Sequence, residues 1–554
     1  MLDQIRSFLR QENLDALIIP RTDSFLGEHY PPEKHQLFHA TGFSGSAGLA
    51  IVTQNDAVLF VDSRYTTQAK QQSPLFHIFE IPTEIMPADW MRKNMSGQKI
   101  GYPAAQRSVG WTYQMYRTLS EHNIRFQGIS TATWENLFPK EGIQPPPDFE
   151  YDIIYAGEST TDKLKRVASI IQEKGWDAFI FCAPDSVSWL LNKRCLWAPH
   201  YPVIFKRGIV WADGRYQELT NTTISELSGQ NIGVDFNELP QDMYERLAPR
   251  AKLHNHSDII APLKAVKNPV EQENIRSACL FESIVICRFL AWVETNLNTI
   301  DEYDCNQKLR SLRAENPLYQ GDSFDTIAAV GTHAALAHYQ ADKKSTVPLN
   351  SAAMTLVDTG GHYLNGTTDM TRTIATGVPS DIMKRRYTQV LKGHIALASS
   401  VLKHGDSGAI LDERAHAFLR ADGVDFRHAT GHGISMFLDV HEAPPVIYEK
   451  ATQPLSAGMV FSNEPAFYDD VAGYGIRLEN MLLTQEGHEG TIILENLLWI
   501  PFDHRLVETS LLTDLEKEWL KTYHTVIREK VLPNLSSVEQ NVLRPQLDFF
   551  ITME

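Results

Sequence analysis

Residues 356–373 read LVDTGGHYLNGTTDMTRT, and the reading of the fold turns on this stretch. Two β-favouring runs, 355–358 and 371–374, flank Asn365-Gly366, a strong two-residue hairpin signal. Parity along such a ribbon puts Asp358 and Asp369 on the same face. Pairing centred on the Asn-Gly turn leaves them four positions apart, roughly 13 Å at the usual strand rise. The two carboxylates can then share a ligand only if the chain bends, and Gly360-Gly361 is where a bend or bulge is tolerated. Taken alone, two aspartates beside a turn are more often surface residues.

Further along lie His432 in HATGHGIS, Glu464 in NEPAFY and Glu479 in GIRLEN. Together with the aspartates they make four carboxylates and one imidazole, each in a short, Gly-marked, strand-like setting. That is the donor set that two hard or borderline divalent metals take. A glutamate pointing inward from an apolar strand is costly unless it is paired or bound to metal. Three histidines, at 428, 432 and 441, fall in this Gly- and Pro-punctuated region, although a lone histidine is more often packed or solvated than metal-bound. Other patterns fail. GFSGSAG at 42–48 lacks the GK[ST] ending of a phosphate loop, and neither GxSxG nor HExxH occurs.

With 554 residues the chain exceeds what one hydrophobic core organises, so several domains are expected. Its composition, 43% hydrophobic and 21% charged, is that of an ordinary globular protein. A formal charge of −17 argues against nucleic acid or an anionic membrane as the main partner. Five cysteines without a CxxC spacing suggest neither a disulfide framework nor a thiolate metal site, which fits a reducing compartment. No stretch is apolar for the roughly 18 residues a membrane span needs, and the charged N-terminus lacks a signal-type core. A cytoplasmic protein is the expectation.

Order along the chain adds domain structure. LDALII at 14–19 is echoed by WDAFIF at 176–181, AVLFVDSRY at 57–65 by GIVWADGRY at 208–216, and KIGYP at 99–103 by NIGVD at 231–235. Three similar segments in one order suggest two copies of one α/β domain, with Arg215 as the repeat partner of Arg64. The proline-rich stretch 138–152 separates the copies. A second boundary falls near Ile260–Ala261, before APLKAVKNPVE. There Asn268 can cap a long helix with Pro269 in its first position and Glu271 three residues after the cap. The predicted domains are 1–145, 150–260 and 261–554, the last of mixed helices and antiparallel strands.

The motifs are recognisable as a set. GFSGSAG, VDSRY, LKAVKNPVE, AALAHYQ, LVDTGGHYLNGTTDMTRT, GHGISMFLDVHEAPP, NEPAFY, GIRLEN and the LTDLEKEWLKTYH tail resemble, in combination and order, the long three-domain cytosolic form of aminopeptidase P (Xaa-Pro aminopeptidase). That group belongs to the pita-bread metallopeptidases. The resemblance implies an α/β (α+β) chain with two creatinase-like N-terminal domains and a pita-bread catalytic domain. It implies a hydrolase that removes the first residue from peptides with proline second, a metal-bridged hydroxide attacking the Xaa-Pro carbonyl. Asp358 is then a ligand of one metal, His432 and Glu464 of the other, with Asp369 and Glu479 bridging. Glu464 doubles as proton shuttle, and His338 and His441 hold substrate and manage protons. Arg477 buttresses a ligand or the substrate, and Arg64 reaches substrate from the N-terminal domain. The implied cofactor is two divalent ions per chain, Mn2+ ahead of Zn2+ or Co2+, and the implied assembly is a homodimer. A prolidase-type dipeptidase and a metal-free binding module of the same fold are the competing readings. This chain has Ala429, Ser435, Ala443 and Ala466 where that family commonly has glycine.

Overall fold

The computed structural model describes residues 1–27, 29, 30, 35–62, 65–138, 145–335, 339, 341 and 343–553. The chain folds into two compact units, Met1–Glu150 with Glu158–Ile260, and Tyr151–Gly157 with Ala261–Glu554.

Two large sheets dominate the first unit. One runs in the order His77–Ile81, Ala57–Asp62, Leu49–Thr53, Ala16–Pro20, Lys99–Pro103, Arg125–Ile129. The other runs Tyr216–Glu218, Gly208–Trp211, Ala178–Phe181, Asn231–Val234, Lys252–Asn255. In each, one fully buried strand (Ala16–Pro20, Ala178–Phe181) has an antiparallel neighbour on one side and a parallel neighbour on the other. Burial on both faces is why LDALII and WDAFIF are continuous apolar runs rather than alternating ones.

The repeat is therefore present, with one correspondence corrected. Gly208–Trp211 pairs antiparallel with Ala178–Phe181, which is the place Leu49–Thr53 holds beside Ala16–Pro20. It is not the counterpart of Ala57–Asp62, which lies one strand further out. Both arms of a buried hairpin are apolar, so residue type alone could not separate them. Arg215 consequently sits at a hairpin turn, where its guanidinium meets Asp213 at 2.7 Å. Arg64 itself lies outside the described residues.

The second unit is organised on the helix Pro269–Asn296. Asn268 Oδ1 accepts from the backbone N–H groups of Val270 and Glu271, and the Glu271 carboxylate accepts from the Asn268 N–H at 2.9 Å. Three backbone donors at the helix start are thereby satisfied, through the reciprocal cap that the sequence predicted. The helix is buried around more than one face because it packs against both the hairpin region and the C-terminal helix Ser537–Ile551. Beside it lie a three-stranded sheet (Ile327–Val330, Met354–Thr359, Met370–Ala375) and a six-stranded one. The latter runs Val401–Lys403, Thr491–Asn496, Asn480–Glu486, Val460–Asn463, Gly431–Gly433, Glu442–Ile447. One large core joins Val285, Phe289, Val357, Ile374, Phe502 and Tyr523, so the tail is part of the unit. No helix among the described residues is long and apolar enough to cross a membrane.

Candidate metal centre

The stretch 354–375 does form a hairpin, but in a register different from the expected one. Asp358 pairs with Thr371 and Thr359 with Met370, while beyond the glycines Tyr363 pairs with Gly366. The two turn residues are thus Leu364 and Asn365, not Asn365 and Gly366. Gly366 flanks the turn with φ +154, and a side chain there would run into Ile275 of the long helix. The backbone conformation beside the turn and the close packing against that helix both favour the glycine. The slip brings Asp369 to within two positions of Asp358, about 7 Å along the ribbon, on the same face. The ribbon also splits into two sheets at Gly360. There Ser323 N–H donates to the Gly360 carbonyl and Ser323 Oγ to the Thr368 carbonyl. A Cβ on Gly360 would strike that same Thr368 carbonyl oxygen.

The remaining donors come from strand ends of the six-stranded sheet. His432 is the middle residue of Gly431–Gly433, Glu464 follows Val460–Asn463, and Glu479 precedes Asn480–Glu486. Backbone bonds lock them together: Glu464 N–H donates to the Thr430 carbonyl at 2.9 Å, and Glu479 N–H to the Thr371 carbonyl at 3.0 Å. Donor atoms of Asp369, His432 and Glu479 all lie within 4.8 Å of one another. His432 Nε2 is 3.5 Å from Asp369 Oδ2 and 3.4 Å from Glu464 Oε1. Its Nδ1 lies 2.9 Å from the Gly433 carbonyl, which can only accept, so Nδ1 carries a proton and Nε2 is the nitrogen left to serve a cation held among the carboxylates.

Side chains around the donors complete the frame. Thr371 Oγ1 donates to Glu479 Oε2 at 2.7 Å and accepts from Arg477 Nε at 3.1 Å. Arg477 also forms an ion pair with Asp358 Oδ2 and donates to the Tyr468 hydroxyl at 2.5 Å. Ser462 Oγ donates to Glu464 Oε1 at 3.1 Å while accepting from the His432 backbone N–H.

The electrostatics are those of a site built around positive charge. Burial, then the charges of Asp369, Glu464 and Asp358, drive the Glu479 carboxyl well above its ordinary range. Burial raises Asp358 as well, Arg477 opposing and Asp369 adding to it. Burial and the neighbouring His441 pull the His432 imidazole down, but Asp369 and Glu464 outweigh them and the net shift is upward. Asp358 Oδ1 is buried with no hydrogen-bond partner among the described residues. Buried carboxylates that repel one another, with one oxygen left unsatisfied, fit a pair of oxygen-seeking divalent cations.

The five sequence-picked donors and Arg477 converge here. His441 is adjacent, its exposed ring meeting His432 edge-on at 4.5 Å between centroids. His338 lies outside the described residues, as does Arg64. Sequence reasoning missed Tyr468 and His428. The Tyr468 hydroxyl, already taking a proton from Arg477, lies 3.2 Å from His428 Nε2, and His428 Nδ1 is 4.0 Å from Glu464 Oε2. The four-residue spacing of His428 and His432 was visible, but only the fold shows that both face the carboxylates.

Comparison with known proteins follows the same division of the chain. Residues 273–486 match the model of metallopeptidase family M24, and 492–545 match the C-terminal region of that family. Residues 1–135 and 143–216 each match a creatinase/prolidase N-terminal domain model. The chain is 31% identical to a protein of Laccaria bicolor named Probable Xaa-Pro aminopeptidase P, over 96% of this chain and 90% of that one. It is 30% identical to the protein of that name from Aspergillus niger, over 96% and 95%. Among solved structures, X-prolyl aminopeptidase from Caenorhabditis elegans superposes with a TM-score of 0.90 at 26% identity, covering 99% of this chain and 98% of that one. That protein is described as a cytosolic enzyme with a di-nuclear active site.

Proposed function

The chain belongs to the Xaa-Pro aminopeptidase P group of metallopeptidase family M24, and on that basis we propose that it is a dinuclear metalloaminopeptidase removing the N-terminal residue from peptides with proline second. The observation that carries this reading is the convergence of Asp369, His432 and Glu479 beside the unsatisfied Asp358 oxygen. Asp358 would hold one divalent ion and His432 and Glu464 the other, with Asp369 and Glu479 shared between them. When bound, the two ions supply the positive charge that acidifies a water near neutral pH and polarises a peptide carbonyl. Mn2+ suits a site with four carboxylates and one imidazole; Zn2+ and Co2+ are the alternatives.

The protein's own groups do the rest. Glu464, fixed by Ser462 and by its backbone bond to Thr430, receives the water's proton and passes it toward the leaving proline nitrogen. His338 and His441 hold the substrate and manage protons at its carbonyl. Arg477 keeps Asp358 and Glu479 in place, the latter through Thr371. Arg64, in the N-terminal domain, is the remaining residue proposed to bind substrate. An Xaa-Pro bond is a tertiary amide with no N–H, so recognition rests on the ring's shape and on the free ammonium, which an acidic site welcomes.

The matched family models support three domains, 1–145, 150–260 and 261–554. The cytosolic description of the Caenorhabditis elegans enzyme supports a cytoplasmic location, and a homodimer is the assembly proposed with it. The test is metal analysis coupled to hydrolysis of a panel with proline, alanine or hydroxyproline second. About two divalent ions per chain and release of only the first residue from Xaa-Pro tripeptides are expected. Cleavage of dipeptides alone selects the prolidase-type reading. A protein that stays metal-free and inert after Mn2+ is added selects the binding module.

A further inference from the structure

The segment APLKAVKNP, 261–269, stands out in the sequence and has no part in the chemistry above, yet it carries two of the most deeply buried lysines of the chain. The side chains of Lys264 and Lys267 are 3% and 1% exposed, and both end on Glu442, which is fully buried. Lys264 Nζ is 2.9 Å from Glu442 Oε2, and Lys267 pairs with Oε1. Ser435 Oγ donates to Oε2 at 2.9 Å, and Lys267 Nζ donates also to the Lys264 carbonyl at 3.3 Å. Two ammonium groups and one carboxylate are thus held in the interior. Desolvating three ions costs several kcal/mol apiece before their attraction is counted, and apolar residues of similar volume would often be as stable or more so. Stability alone is a poor reason for such a cluster.

Its place in the fold supplies a better one. Glu442 directly follows His441 and opens the strand Glu442–Ile447. Gly433, directly after His432, pairs with Glu442, and the ladder slips register between His432 and Gly433. Anchoring the Glu442 side chain therefore fixes the backbone beside both imidazoles, whose rings meet at 4.5 Å. The same segment also grips the chain entering the strand Val460–Asn463, which Glu464 follows. Lys267 N–H donates to the Gly458 carbonyl at 2.8 Å, and Val266 bridges to Met459. One short segment thus braces the chain on which His432, His441 and Glu464 are mounted.

We infer that Lys264, Lys267 and Ser435 are positioning residues that act through Glu442 to hold the His441 imidazole in its working place. This rests on the role given to His441 above. Outer-shell contacts of this kind are worth about 10–100-fold in activity. A misplaced group that both holds substrate and manages protons loses more transition-state than ground-state binding, so kcat should fall by more than KM rises.

The experiment is a double-mutant cycle on an Xaa-Pro tripeptide with Ser435→Ala, Lys267→Met, His441→Ala and the two combinations with His441→Ala, metal content and Tm being followed throughout. Ser435→Ala deletes one hydroxyl and keeps the test valid if Lys267→Met does not fold. Ser435→Ala is expected to lower kcat about 3–10-fold and Lys267→Met about 10–100-fold, with KM within about threefold and metal content unchanged. In the His441→Ala background neither should have a further effect, since the group they position is gone. Ser435→Thr, which keeps the hydroxyl, should recover most of the lost kcat. Two results overturn the inference alone: unchanged kcat in Ser435→Ala, or an impaired His441→Ala enzyme in which Ser435→Ala remains multiplicative. A His441→Ala enzyme with full kcat instead overturns the role of His441 and the inference with it.

Discussion

Arg477 offers the sharpest measurement of how the site is balanced. Its buried guanidinium faces Asp358 directly and Glu479 through Thr371. Without metal, the four carboxylates and Arg477 sum formally to −3, and Arg477→Met takes that to −4. With two divalent ions the same count goes from +1 to 0. Removing one partner of a buried ion pair costs about 3–5 kcal/mol when the other charge is left uncompensated. Spread over a unit of about 300 residues with ~2.1 cal/mol/K of unfolding entropy each, that is a fall in Tm of about 5–8 °C. In the metal-loaded protein the charge on Asp358 stays compensated, and the loss shrinks to the hydrogen bonds with Tyr468 and Thr371. Those are worth about 1–2 kcal/mol together, or about 2–3 °C. The assay is calorimetry of wild type and Arg477→Met, each after chelation and after saturation with Mn2+, at one pH. A substitution that lowers Tm as much in the loaded protein as in the chelated one would show that Arg477 is not the site's charge compensator.

Three further outcomes are expected. His432→Ala should keep the fold, bind about one fewer divalent ion per chain and lose more than about 100-fold in kcat, beyond what an outer-shell contact supplies; unchanged activity removes His432 from the site. Gly360→Ala should lower Tm by about 2–5 °C, because the new Cβ must displace the Thr368 carbonyl or Ser323 and overpacking costs about 1–3 kcal/mol; an unshifted Tm means the sheet break at Gly360 is not sterically required. Burial favours the neutral form of Glu442, but Lys264 and Lys267 prevail and hold its carboxyl below the usual range. A depressed carboxyl binds fewer protons folded than unfolded, so its stabilisation is complete above the unfolded value of about 4.3 and disappears as pH falls through the folded one. The Tm difference between wild type and Glu442→Gln should therefore narrow below about pH 4; a difference that stays constant there contradicts the pairing.

Much of this was legible residue by residue. The reciprocal cap at Asn268 and Glu271 depends on groups three positions apart, and it formed as read. The buried strands LDALII and WDAFIF announce themselves because burial on both faces demands continuous apolarity. The hairpin at 354–375 was legible in kind but not in register. Turn preference favoured Asn365-Gly366, while packing of Gly366 against Ile275 decided the pairing. The second repeat correspondence failed for a similar reason, since two arms of one hairpin share a composition and differ only in their neighbours. His428 and Tyr468 escaped because nothing in their local sequence distinguishes a residue facing four carboxylates from one facing solvent.

By itself, then, the sequence determined the kind of chemistry. Asp358, Asp369, His432, Glu464 and Glu479 are residue types from which divalent cations take their ligands, whatever the fold. What tertiary structure alone decided is the distance between them. Asp358 and Asp369 approach only because the ribbon slips by two positions and splits at Gly360, and His432, Glu464 and Glu479 join them from strand ends up to 121 residues away in the chain. Donor type is a property of a side chain. Register, the break in a sheet and the burial that makes the carboxylates repel one another arise from packing between distant segments, which no local pattern encodes.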